Sequence, residues 1–129
     1  MRRDMLRAKV HRLKVTERDI EYEGSLSLDT ELMQAADMLP FERIDVYDVD
    51  NGNRFSTYLI EGRPGSGDCC VNGAAARLVD IGDKLIIAAF CSLEESEVRQ
   101  HRPKLILIGE DNEVTRATET EAAGVKFQA

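Results

Sequence analysis

The chain has 129 residues, of which 43% are hydrophobic and 32% charged, and a formal net charge of −7. That length suits one domain burying roughly two-thirds of its unfolded surface, which leaves little depth for a site inside one subunit and makes a site shared between subunits the expectation. The composition excludes a disordered chain, and no apolar run approaches the roughly 18 to 20 residues of a membrane span.

The charge is unevenly spread. Residues 1–16 carry six Lys or Arg against one Asp, so the other 113 residues hold −12. Arg7, Lys9, Arg12 and Lys14 interrupt every hydrophobic pair, which excludes a secretory signal. Overall acidity without interleaved aromatics argues against nucleic-acid binding. The remaining reading is a strand over residues 9–15 whose cations face solvent, a small anion or an acidic neighbouring subunit. Strict alternation places Lys9, His11, Leu13 and Val15 on one face and Val10, Arg12 and Lys14 on the other.

Residues 16–19 read as a turn. Ile20-Glu21-Tyr22 and Leu26-Ser27-Leu28 alternate at the strand period around Gly24-Ser25. A Gly-Ser pair is by default a turn, and the second one, Gly65-Ser66 in Arg63-Pro64-Gly65-Ser66-Gly67-Asp68, is read as solvated loop. Gly24-Ser25 differs in being pinned on both sides. A serine hydroxyl attacks its own preceding carbonyl only if that peptide is held distorted with a donor on the developing oxyanion.

Asp29 is placed to cap a short amphipathic helix over residues 30–37, whose Leu32, Met33 and Ala36 belong to the core, with Pro40 beyond it. Residues 43–49 and 54–60 are strands of a hairpin turning through Asn51-Gly52. On the second strand Arg54, Ser56, Tyr58 and Ile60 share one face and Phe55, Thr57 and Leu59 the other, unless a bulge brings Thr57 and Tyr58 together. Gly73-Ala74-Ala75-Ala76 leaves backbone amides open to an anion, or else starts a helix packed tightly on the sheet. Residues 80–83 form a turn feeding a central strand over 84–92, residues 93–101 an exposed helix, residues 103–109 a strand and residues 124–129 a tail. Cys69, Cys70 and Cys91, odd in number and without a Cys-x-x-Cys, are poor material for disulfides or zinc and read as small buried hydrophobes in a reducing cytoplasm. Many short strands with two short helices indicate a small closed β-barrel.

These pieces in this order resemble the bacterial pyruvoyl-dependent aspartate 1-decarboxylases across nearly the whole chain. The resemblance rests on Lys9 with His11-Arg12, Tyr22-Glu23-Gly24-Ser25, Asn51-Gly52 followed by Arg54-Phe55-Ser56-Thr57-Tyr58, Val71-Asn72-Gly73-Ala74-Ala75-Ala76, and Gly82-Asp83. Departures are Tyr47, where relatives often carry tryptophan, and the tail beyond about Val114. The resemblance implies a double-psi β-barrel, a single domain over residues 1–129, assembled as a homotetramer with active sites between subunits. It implies self-cleavage between Gly24 and Ser25 into residues 1–24 and 25–129.

In that chemistry the Ser25 hydroxyl attacks the Gly24 carbonyl, elimination splits the resulting ester, and hydrolysis leaves a pyruvoyl group, with Thr57 steadying the oxyanion. The pyruvoyl ketone forms a Schiff base with L-aspartate and acts as electron sink, so neither a metal nor pyridoxal phosphate is expected. By the same resemblance Lys9 and Arg54 hold the side-chain carboxylate. Asn72, Gly73, Ala74 and Ala75, with Thr57, line the pocket, and Tyr58 returns a proton before β-alanine, a precursor of pantothenate and coenzyme A, departs. The rival readings are a non-catalytic double-psi barrel used as a binding module, which stays uncleaved, and another pyruvoyl decarboxylase that ignores aspartate.

Overall fold

The computed structural model describes residues 1–119, so the expected tail lies outside the described residues. The chain is mainly β, and the described residues form nine strands: β1 (Arg2–Lys14), β2 (Glu17–Asp19), β3 (Ser25–Asp29), β4 (Arg43–Asp48), β5 (Arg54–Gly62), β6 (Cys69–Asn72), β7 (Lys84–Glu94), β8 (Lys104–Ile108) and β9 (Val114–Thr118). Two short helices, α1 (Thr30–Ala36) and α2 (Glu95–Val98), and a 3₁₀ segment (Gly73–Leu78) complete it. The strands run in the order β2-β6-β3-β5-β4-β7-β1-β8-β9.

The pairing is mixed. β4 and β5 form the expected antiparallel hairpin, Arg43 opposite Tyr58 and Tyr47 opposite Arg54, with Gly52 at φ +79° in its loop. The pairs β1–β8, β2–β6 and β3–β5 are parallel. The sheet curls on itself where β1 ends: the Thr16 amide donates to the Cys69 carbonyl at 2.9 Å, and the Cys69 amide donates to Thr16 Oγ1 at 2.8 Å. Asn112, only 3% exposed, locks this closure. Its Oδ1 accepts from the Lys14 amide while its Nδ2 donates to the carbonyls of Lys14 and Gly67, all at 2.9 Å. The result is the small barrel-like fold with short helices that the strand pattern indicated. Its interior is aliphatic, including Val10, Leu13, Leu26, Ile44, Leu59 and Ile87, none more than 1% exposed. Each such side chain contributes about 1.5–3 kcal/mol of apolar burial.

Asp29 caps α1 as expected, its Oδ1 accepting from the Glu31 amide at 2.8 Å, and Leu32, Met33 and Ala36 are buried. Four expectations change. Alternation fails in β1, where Val10, Leu13 and Val15 are all buried while Lys9, His11 and Arg12 are half-buried. The register slips between His11 and Leu13, and Arg12 takes φ +70°. One extra residue at this bulge reverses which side chains face inward beyond it. Residues 16–19 are not wholly a turn, since Glu17–Asp19 pairs with β6 as β2. Residues 20–24 are turn and bend rather than strand. The helix expected over 93–101 is only Glu95–Val98, because β7 runs on through Glu94 opposite Arg2. β9, antiparallel to β8, had no sequence expectation.

Candidate active site

Ser25 is the first residue of β3, immediately after the bend at exposed Gly24, and is itself 1% exposed. Its backbone pairs with Asn72 at the end of β6, and its side chain is held by the same partner. Ser25 Oγ donates to the Glu23 carbonyl at 3.1 Å and accepts from Asn72 Nδ2 at 3.0 Å. Asn72 Nδ2 donates also to Ser27 Oγ at 3.1 Å, and Cys70 Sγ donates to Asn72 Oδ1 at 3.2 Å. A buried amide engaged at both ends has a fixed orientation, so its N–H groups stay turned toward Ser25. Cys70 and Ser27 were not among the sequence candidates. Their signal was only their position two residues from Asn72 and Ser25 on strands of opposite direction, which nothing short of the β3–β6 pairing reveals.

The segment before Ser25 is backed by Gly73. A Cβ at Gly73 would stand 2.7 Å from Gly24 Cα, 2.8 Å from Gly24 N and 3.1 Å from the Tyr22 carbonyl oxygen, and Gly73 sits at φ +74°. Only glycine combines that torsion with so close an approach. The left-handed torsion of this site therefore belongs to Gly73, and Gly24 is not among the positive-φ residues. The bond is pinned by β3 on one side and by backbone contact on the other, instead of by two strands. Of the remaining small residues, Ala74 is exposed and Ala75 half-buried against the core.

Strand β5 runs parallel to β3 with Leu59 opposite Leu26. This is the first pair of the two strands, one residue after Ser25 on β3 and one after Tyr58 on β5. The β4–β5 register is uninterrupted from Arg54 to Tyr58, so no bulge turns Thr57 and Tyr58 to one face. Thr57 is half-buried, while Tyr58 is 36% exposed with its ring 6.4 Å from that of Phe41.

The two candidate cations do not join this group within one chain. Arg54 lies four residues before Tyr58, about 13 Å along a strand, and is exposed with its guanidinium 4.7 Å over the Tyr47 ring. Lys9, half-buried, pairs with Ala88 of β7 and Leu105 of β8. Four strand steps separate β1 from β3 along the sheet. The groove that does include Asn72, Ser27, Cys70 and Tyr22, about 560 Å³, is lined with Glu17, Asp19, Glu61 and Asp68 against Arg63 alone. Burial first, then the charges of Glu17, Asp19 and Asp68, push the Cys70 thiol up. Such a groove repels a dicarboxylate. Cys69 is buried and Cys70 and Cys91 half-buried, all three with free thiols.

The family described as aspartate decarboxylase matches residues 1–115. A protein named aspartate 1-decarboxylase from Ralstonia pickettii (strain 12J) is 50% identical over 120 residues, covering 93% of this chain and all of that protein. Proteins of the same name from Syntrophobacter fumaroxidans and Clostridium acetobutylicum are 53% and 44% identical over 112 and 124 residues. These cover 87% and 96% of this chain and 90% and 98% of those proteins. With the family matched from the first residue through β8 to the start of β9, across the bend, the Asn72 clamp and the hairpin, this chain belongs to the aspartate decarboxylase family.

Proposed function

We propose that this protein is an aspartate 1-decarboxylase that cleaves its own chain between Gly24 and Ser25 and works with a pyruvoyl group made from Ser25. The observation that carries the reading is the buried Ser25 hydroxyl, gripped by Asn72 at a bend whose preceding residue is exposed and backed by Gly73. The fit to such a group is sound: it is no larger than the serine it replaces, and the Asn72 amide that now donates to Oγ can donate to a ketone oxygen there.

In cleavage, Ser25 Oγ gives up its hydrogen bond to the Glu23 carbonyl and attacks the Gly24 carbonyl carbon; the peptide C–N bond breaks, the Oγ proton ends on the freed Ser25 nitrogen, and Gly24 is left as an ester on Ser25. Thr57 donates to the oxygen that becomes negative. Elimination then releases the Gly24 carboxylate, and water displaces ammonia from the new terminus at residue 25. A pyruvoyl group at position 25, held by the Asn72 amide, would supply a ketone for the substrate amine and an electron sink for the carbon that loses its carboxylate. Lys9 and Arg54 bind the side-chain carboxylate of aspartate and so select which carboxylate departs. Tyr58, whose phenol is an O–H donor, delivers a proton to the carbon that lost its carboxylate. The β-alanine released supplies pantothenate and coenzyme A formation in the cytoplasm.

Because Lys9 and Arg54 stand away from Ser25 within one chain, the complete site is assembled between subunits of a homotetramer. Exposed Leu39 and Phe41, at 65% and 77%, the latter with its ring beside that of Tyr58, supply apolar surface for such packing. Among the described residues no helix is long and apolar enough to cross a membrane.

Intact mass under denaturing conditions tests the reading. Two fragments of 24 and 105 residues are expected, with Ser25→Ala remaining whole. An uncleaved wild-type chain that still makes β-alanine would refute it. An uncleaved, inactive one would favour a non-catalytic barrel.

A further inference from the structure

We propose that Asp48, Asp50 and Asp83 form a site for one hard divalent cation, of the calcium or magnesium type, which ties the β4–β5 hairpin loop to the turn before β7. The site lies apart from Ser25 and takes no part in the proposed chemistry. One carboxylate oxygen from each residue can be chosen so that all three lie within 4.8 Å of one another. Two oxygens bound to one calcium ion at about 2.4 Å stand no more than about 4.8 Å apart, a limit this group meets.

Asp48 supplies the independent observation. It is 2% exposed, and its Oδ1 accepts from the amides of Asp50 and Asn51 at 2.9 and 3.2 Å, which aims the carboxylate and leaves Oδ2 buried with no partner. A carboxylate oxygen of Asp83 lies within 4.8 Å of one on Asp48. Two facing carboxylates, one with a bare buried oxygen, are unfavourable until a cation or a proton lies between them. A third carboxylate converging on the same space is what a proton does not call for and a metal ion does.

The charges agree. Asp50 is paired with Lys84, its Oδ1 3.1 Å from Nζ and its Oδ2 accepting the Lys84 amide at 2.7 Å, and Arg12 acts on it from farther away. Three carboxylates outnumber the paired Lys84 ammonium and the more distant Arg12, so the cluster keeps a negative excess that a divalent ion would offset. Asp50 is exposed and Asp83 half-buried, so the ion has an entry path and room to keep waters. Oxygen donors without nitrogen or sulfur favour calcium or magnesium over zinc. The ion would join residues 48–50 to residue 83 beside the existing bond from the Val49 amide to the Lys84 carbonyl at 2.8 Å.

The test uses the full chain, stripped with a chelator at pH 7.5 and then titrated with CaCl₂ or MgCl₂ while heat of binding and thermal midpoint are read. Saturable binding of one ion per chain, with a midpoint that rises with ion concentration, is expected. Asp48→Asn and Asp83→Asn, both retaining shape, should weaken binding at least tenfold. No response to either ion up to millimolar concentration, or an equal response in Asp48→Asn, would overturn the proposal and leave a carboxyl pair sharing a proton.

Discussion

Gly73→Ala should uncouple folding from self-cleavage. The added methyl would stand 2.7 Å from Gly24 Cα, whereas carbon atoms at optimal separation are about 3.5–4.0 Å apart. Either Gly24 or residue 73 must therefore move by about 1 Å. A displacement of that size between reacting groups costs on the order of 10²-fold in rate, so fragment formation should slow by about that factor. The left-handed torsion adds a fold penalty of about 1–2 kcal/mol that alanine meets and glycine does not. Gly82→Ala separates the two effects, because Gly82 has φ +92° but nothing within 4 Å of an added Cβ. Both variants should lose similar stability in thermal unfolding, while only Gly73→Ala should cleave slowly when fragments are followed by mass spectrometry. A folded Gly73→Ala that cleaves at the wild-type rate would refute the view that this contact positions the bond.

Arg54→Ala and Lys9→Ala, assayed on cleaved protein, should lose aspartate turnover by orders of magnitude, since truncating one partner of a desolvated carboxylate grip costs roughly 2–5 kcal/mol. Near-normal turnover would return that residue to a solvated strand face. Sedimentation should give a tetramer whose dissociation abolishes activity, and a fully active monomer would exclude the shared site. Tyr58→Phe should cleave normally yet release β-alanine about 10²- to 10⁴-fold more slowly, checked by measuring fragments and product in one sample; full product release would assign the proton to another group. Burial, then the facing Asp83 carboxylate, pushes the Asp48 carboxyl up to about 6. A raised folded-state pKa stabilises most below the unfolded value and loses that contribution as pH rises through about 6. In chelator, unfolding should therefore show about 1–3 kcal/mol of stability lost between pH 4.5 and 7.5, flattened in Asp48→Asn. The lowered carboxyls of Asp50 and Asp68 act in a separate, more acid window. A slope unchanged in Asp48→Asn would assign it to other groups.

Local chemistry was enough to determine several elements from the sequence. Asn51-Gly52 between alternating runs specified the β4–β5 hairpin, and Asp29 before an apolar stripe specified α1, because each depends on residues a few positions apart. The order of short motifs, from Lys9 through Ser25 and Arg54 to Asn72, was sufficient to suggest the family. Tertiary structure decided what those motifs do to one another. Asn72 reaches Ser25 across 47 positions, and Gly73 meets Gly24 only because β6 returns antiparallel to β3. The bulge at Arg12 exists because β1 must satisfy β7 on one edge and β8 on the other, and the resulting slip overrides the two-residue alternation that the sequence displays. β2 and β9 are short, largely exposed strands whose residues carry little apolar signal, so only the open edges of β6 and β8 make them strands. Backbone pairing over long separations is chosen by the whole sheet, and no window of neighbouring residues encodes it.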